Sequence, residues 1–188
     1  MSREEVVALF LKNLAAVKAV PARVGSIAEL ERALSELLRE HRAVYCHAVT
    51  EIEKAVKIDP ERRVHDCAAA EVTVEEAPAA IAETGSIVCT SADGKVMQAS
   101  VLARRHVAVV RSDRLFANLD DYLGSFGSAL PANITFITGP SRTGDIEQTL
   151  TVGMHGPARL DVIIVDSDSV QRLMNTVADS TQRGDGFR

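Results

Sequence analysis

Three polar side chains in a row, Ser141-Arg142-Thr143, follow a Gly139-Pro140 turn and precede two acids, Asp145 and Glu147. Two hydroxyls and a guanidinium suit a phosphate or carboxylate, because they supply charge-assisted hydrogen bonds. The apolar run Ile134 to Thr138 reads as a strand before them, and Asp145 with Glu147 reads as the first turn of a helix, where acids are favoured by the dipole. A second apolar run, Val162 to Val165, reads as the closing strand. That grammar puts the polar loop between a strand's carboxyl end and a helix's amino end, where open α/β sheets bind ligands. Ligand contacts are therefore expected from Gly139, Ser141, Arg142 and Thr143, with Asp145 available as a base. A plainer alternative has Ser141 or Thr143 capping the helix and Arg142 exposed or paired to an acid. His155 stands between Gly153 and Gly156-Pro157, so it belongs to a turn. It suits proton transfer or anion binding, or is a simple surface histidine.

Metal chemistry finds little support. His65 and Cys67 are two apart and Cys46 adjoins His47, but neither pair supplies three or four ligands by spacing. The three cysteines, Cys46, Cys67 and Cys89, include no CxxC unit, so reduced, mostly buried thiols are expected rather than a disulfide framework or a cluster site.

The elements that position these residues read as follows. Glu4 to Lys18 has one helical face, Val7, Phe10, Leu14 and Val17, broken at Pro21 and Gly25. Ser26 with Glu29 forms a capping box ahead of a second stripe, Ile27, Leu30, Leu34, Leu37 and Leu38. These two helices, within residues 1–40, are expected to cover the sheet. Ala43 to Val49 reads as a buried strand, followed by a short helix from Thr50 to Lys57. Glu71 to Glu75 alternates like a strand, and a short helix is expected from Glu76 to Ala82. Ile87 to Thr90 and His106 to Arg111 read as strands, Val96 to Arg104 and Leu115 to Phe126 as helices. Val170 to Val177 fits one last amphipathic helix, and Thr181 to Arg188 is expected to be disordered.

The composition narrows the classes. At 188 residues, one α/β domain over 1–166 plus a tail at 167–188 is the simplest organisation. Hydrophobic residues make up 46% and aromatics only 4%, so the core must be aliphatic. The net charge of −5 argues against a general nucleic-acid binder. No apolar run approaches the ~18 residues of a membrane span, and the first residues lack a signal-peptide layout. A cytoplasmic location is expected.

The run Ile137-Thr-Gly-Pro-Ser-Arg-Thr-Gly-Asp-Ile-Glu-Gln-Thr-Leu150, continued by Gly153-Met-His-Gly-Pro157 and Leu160-Asp-Val-Ile-Ile-Val165, closely resembles the signature of the lactate-utilisation protein C family, also called LUD-domain proteins. Upstream, Ala80-Ile-Ala-Glu-Thr-Gly-Ser-Ile-Val88 is similar to that family's second signature. Gly144 stands where the family usually has Ala. The resemblance implies a single three-layer α/β domain with a mostly parallel sheet, similar to the ribose-5-phosphate isomerase and CoA-transferase-like fold. It also implies a role in oxidising L-lactate to pyruvate beside iron–sulfur partner proteins, which would carry the clusters, so no cofactor is expected on this chain. The expected ligand is a small anionic metabolite or a nucleotide-like molecule.

Glu83-Thr84-Gly85, just before a strand, resembles the Glu-Asn-Gly of CoA transferases, whose glutamate attacks an acyl-CoA thioester. Thr84 replaces the Asn, and no glycine-rich CoA loop is visible. Glu83 is thus a candidate nucleophile or ligand contact, with Thr84 and Gly85 beside it, or a structural hydrogen-bonding residue. Two rival functions follow. One is a stand-alone enzyme of the isomerase or CoA-transferase type using Glu83 or Asp145. The other is a non-catalytic interaction subunit.

Overall fold

Val107 and Val109 face one way and Ala108 and Val110 the other, and that alternation along one strand sets the layers of the molecule. The computed structural model describes residues 1–47, 51–91, 99–127, 130–144, 150–152 and 156–168. The first half contains α1 (Arg3–Ala16), β1 (Val20–Val24), α2 (Ile27–Leu38), β2 (Val44–His47), α3 (Glu51–Ala55), β3 (Val72–Glu76), β4 (Ala79–Ile81) and β5 (Ser86–Ser91). The second contains α4 (Ala99–Leu102), β6 (Arg105–Arg111), β7 (Leu115–Phe116), α5 (Leu119–Gly124), β8 (Asn133–Ile137), β9 (Arg142–Gly144), β10 (Leu150–Val152) and β11 (Arg159–Val165).

The main sheet has five parallel strands in the order β1-β11-β6-β3-β2. Its central strands are buried on both faces, as a covered parallel sheet requires. On one face α2 and α3 pack Leu30, Leu34, Leu38, Ile52 and Ala55 against Val74, Val107, Val109 and Ile163. On the other face α1 packs Val7, Phe10 and Leu14 against Ala108, Val110, Val162 and Ile164. A smaller sheet, β7-β4-β5-β8, shares that second face through Ala80, Ile87, Cys89 and Ile137. Its outer side is covered by Tyr122 of α5, which meets Phe116, Phe126 and Phe136 edge-on. The result is one three-layer α/β arrangement. Each fully buried Leu or Phe in these layers contributes about 2–3 kcal/mol of transfer free energy.

Both N-terminal helices form where their caps and apolar faces place them. Ser26 accepts from the Glu29 N–H at 3.2 Å, and the Glu29 carboxylate takes the Gly25 N–H at 2.8 Å, one residue beyond the expected box.

Four local expectations are corrected. Residues 20–24, read as a break at Pro21, form strand β1. This strand is the edge of the described sheet, where a proline's missing N–H is tolerated. Ala79–Ile81, read as helix, is strand β4, fully buried between β5 and β7. Burial on both sides overrides the helix preference of its alanines. Leu115–Phe116 splits off from the expected helix as β7, and α5 begins only at Leu119, capped by Asn118. Arg142–Gly144, read as a loop entering a helix, is strand β9, paired antiparallel with Leu150–Val152. The β-branched alternation Thr149-Leu-Thr-Val152 favours that pairing.

The main-sheet strands expected from the sequence appear as β2, β3, β6 and β11 and those of the small sheet as β5 and β8, but β2, expected to be buried, is an edge of the described sheet with only Val44 buried. Cys89 is buried, Cys46 and Cys67 are only half-buried, and no disulfide joins them. The expected helix at 170–177 and the tail from 181 lie outside the described residues. Among the described residues no helix is long and apolar enough to cross a membrane.

Candidate functional site

The two signature stretches, about fifty residues apart in sequence, meet at the last turn of α1. From Asn13 the side-chain Nδ2 donates to the carbonyls of Ala82 and Glu83 at 2.8 and 3.0 Å. One turn later the Val17 carbonyl accepts from Arg142 Nη2 at 3.1 Å. Between these anchors runs a chain of hydroxyls: Thr84 Oγ1 to Ser86 Oγ at 2.7 Å, and Ser86 Oγ to Thr138 Oγ1 at 2.7 Å.

Two glycines let the loops come this close. Gly85 has φ +66, and a Cβ on it would lie 2.7 Å from the Asn13 carbonyl carbon. Gly139 has φ +79, and its Cβ would lie 2.2 Å from the Val17 oxygen. Both positions need the left-handed backbone and the missing side chain together. The conformations of the Glu-Thr-Gly and Thr-Gly-Pro turns are therefore set by contact with α1.

The helix expected from Asp145 lies outside the described residues, and the Ser141-Arg142-Thr143 run leads into β9. It lies beside the carboxyl end of α1, and the Ser141 N–H donates to Pro157 O at 2.9 Å, just ahead of β11. It is thus at the amino edge of the main sheet, opposite the edge where such sheets usually bind ligands. The last turn of α1 has no basic residue of its own, so the exposed Arg142 supplies the positive charge that its dipole favours.

Glu83 is exposed, and its Oε1 accepts from the Leu119 N–H at 2.8 Å, capping α5. Its own N–H donates to Ala117 O at 3.0 Å. The structure thus gathers Glu83, Thr84, Gly85, Gly139 and Arg142 around one helical turn, with Ser141 adjoining. Asp145 and His155 lie outside the described residues, as does the Thr143 side chain. Next to this edge, the buried Asp161 carboxylate holds Arg105 at 2.8 Å and Arg159 at 2.9 Å.

One polar cluster escaped the sequence reading. Glu75 and His106, both buried, place Oε2 and Nε2 3.1 Å apart, an ion-pair distance but off hydrogen-bond alignment. Ser100 Oγ donates to the same Glu75 oxygen and lies 3.5 Å from Cys89 Sγ. Burial pushes the Glu75 carboxyl up, but His106 and the Ser100 and Cys89 contacts outweigh it and hold it below the usual carboxylate range. Burial, with the Glu75 charge beside it, drives the Cys89 thiol well above its ordinary value, so it stays protonated. Among the described residues, Thr73 Oγ1, Glu75 Oε1 and His106 Nδ1 have no hydrogen-bond partner. β3 lies inside the sheet, so Glu75 has no solvent face.

Comparison with known proteins adds family and fold. The LUD domain family model matches residues 47–165, well over half of the chain. A protein called Lactate utilization protein C from Halalkalibacterium halodurans is 33% identical over 112 residues, covering 56% of this chain and 49% of its own length. One of the same name from Shouchella clausii is 32% identical over 113 residues, covering 57% and 49%. The chain thus spans about half the length of the curated relatives it matches. A crystal structure of a DUF162 family protein from Deinococcus radiodurans superposes with a TM-score of 0.67 at 22% identity. It covers 88% of this chain and 99% of that one, so the fold is shared.

Proposed function

Because the chain belongs to the LUD domain family, we propose that it acts in lactate utilisation, as a subunit or accessory protein in the oxidation of L-lactate to pyruvate. In this reading iron–sulfur partner proteins carry the electrons, and this chain holds no redox centre of its own. The observation that carries the reading is the family match over 47–165, which contains both loops joined by the Thr84–Ser86–Thr138 hydroxyls. Relatives called Lactate utilization protein C support its lactate part.

At the amino edge, Arg142 Nη2 donates to Val17 O at 3.1 Å and closes the carboxyl end of α1. Glu83 works here as a cap on α5 rather than as a nucleophile, because its carboxylate already accepts from Leu119. The test is growth on L-lactate of a strain lacking this chain, with and without the gene restored, alongside purification of the tagged chain. Restored growth and a co-purifying protein with iron–sulfur absorbance are expected. Growth on lactate that ignores the chain would overturn the reading.

A further inference from the structure

The carboxyl ends of β1, β6 and β11 leave a crevice just past Val165, where the longer signature ends. After β1 the chain turns into α2 on one face; after β6 it turns into β7 on the other, with β11 between them. Ligands of open α/β sheets usually sit at the carboxyl ends of the strands, where the connections part to opposite faces. A cavity of about 190 Å³ lies there, lined by two cations, Arg3 and Arg23, three acids, Glu4, Asp166 and Asp168, and by Gly25, Ser112 and Ser167. That is smaller than the several hundred Å³ of drug-sized pockets, so it suits a metabolite of a few heavy atoms.

Its walls are fixed and its polar groups only partly used. Arg3 Nη1 donates to Ser112 O at 2.7 Å, which orients the guanidinium and leaves its Nε–Nη2 edge unassigned among the described residues. That edge has the geometry to grip a carboxylate with two hydrogen bonds. Arg23 is held between Glu4, at 2.8 Å through each terminal nitrogen, and Asp166 Oδ1, at 3.2 Å from Nε. The second Asp166 oxygen, Oδ2, lies on the Gly25 side, 4.0 Å from where a Gly25 Cβ would be, and accepts from no described residue. The Ser167 N–H donates to Ser112 Oγ at 3.0 Å, tying the ends of β6 and β11 together.

We propose that this cleft binds a short 2-hydroxy carboxylate, its carboxylate on Arg3 and its hydroxyl donating to Asp166 Oδ2. The place follows from strand order, cavity and uncommitted groups, whereas the choice of a hydroxy acid rests on the lactate reading above.

The test is a titration of the full chain with L-lactate, followed by NMR or calorimetry, in the parent protein and in Arg3→Gln, Arg3→Lys and Arg142→Gln. Arg3→Gln should weaken L-lactate at least tenfold, Arg3→Lys should recover part of it, and Arg142→Gln should leave it unchanged. Propionate, which lacks the hydroxyl, should bind more weakly than L-lactate to the parent. Thermal unfolding of each variant shows that the fold is intact. Equal binding by parent and Arg3→Gln, equal binding of propionate and L-lactate, or loss of binding in Arg142→Gln would each overturn the assignment. If L-lactate does not bind but the chain still restores growth on lactate, the cleft site falls and the lactate role stands. If restored growth itself fails, the lactate role falls, and the hydroxy acid with it.

Discussion

The two edges of the main sheet differ in what their polar groups are doing. At the amino edge the recognisable residues are engaged with one another: Asn13 with the 82–83 backbone, Thr84 with Ser86 and Thr138, Asp161 with Arg105 and Arg159. Its glycines are pressed against backbone. At the carboxyl edge a guanidinium edge and a carboxylate oxygen are unassigned among the described residues, and a Cβ at Gly25 would meet only side-chain oxygens, at 3.7 and 4.0 Å. A motif that stands out in sequence can thus owe its residue types to close packing. The chemistry of binding can come from residues that form no motif at all.

The interior between the edges sets the upper mark for any substitution. Glu75→Gln leaves His106 and Ser100 buried without the carboxylate they face, and removing one partner of a buried charged contact costs about 3–5 kcal/mol. Because the Glu75 pKa is lowered in the fold, its contribution is complete above the ordinary carboxylate range. It is lost as pH falls through the depressed value. Chemical denaturation across acidic pH should therefore show an acid-side loss of stability in the parent that is smaller in Glu75→Gln. An unchanged acid limb would show that the buried Glu75 charge does not set the acid-side stability.

The next largest effect is expected at the amino edge. Gly139→Ala must hold a side chain at φ +79 with its Cβ on the Val17 oxygen, so a loss of about 3 kcal/mol is expected in denaturant titrations. Arg142→Gln removes one charged contact with the end of α1 and should cost about 0.5–1 kcal/mol. Gly25→Ala, at the carboxyl edge, meets no contact closer than 3.7 Å and should be neutral or stabilising by up to about 1 kcal/mol. If Gly25→Ala proved as damaging as Gly139→Ala, the contrast between a packed edge and an open one would fail.

Much of the frame was legible in the chain. The helical faces of α1 and α2 announce themselves by spacing and cap, and β2, β6 and β11 by apolar runs, because local pattern and burial agree there. Where tertiary context overrides local preference, the reading slipped. The alanines of β4 are held extended by strands on both sides, Pro21 is tolerated because β1 is an edge, and Arg142–Gly144 takes its strand from a partner eight or so residues on. The meeting of Glu83, Thr84, Gly85 and Arg142 was readable only as a family likeness, since no local rule brings these loops to the end of α1. The cleft was not readable at all. Arg3 and Asp166 come together only when β1 docks beside β11 and α1 folds back over them.

The most direct test of this contrast is a map of backbone amide chemical-shift changes as L-lactate is added to the full chain. The largest changes should fall at Arg3, Gly25, Ser112, Asp166 and Ser167, with the Thr84–Ser86 and Gly139–Arg142 loops unmoved. Changes centred on Gly139 to Arg142, with the cleft silent, would contradict it.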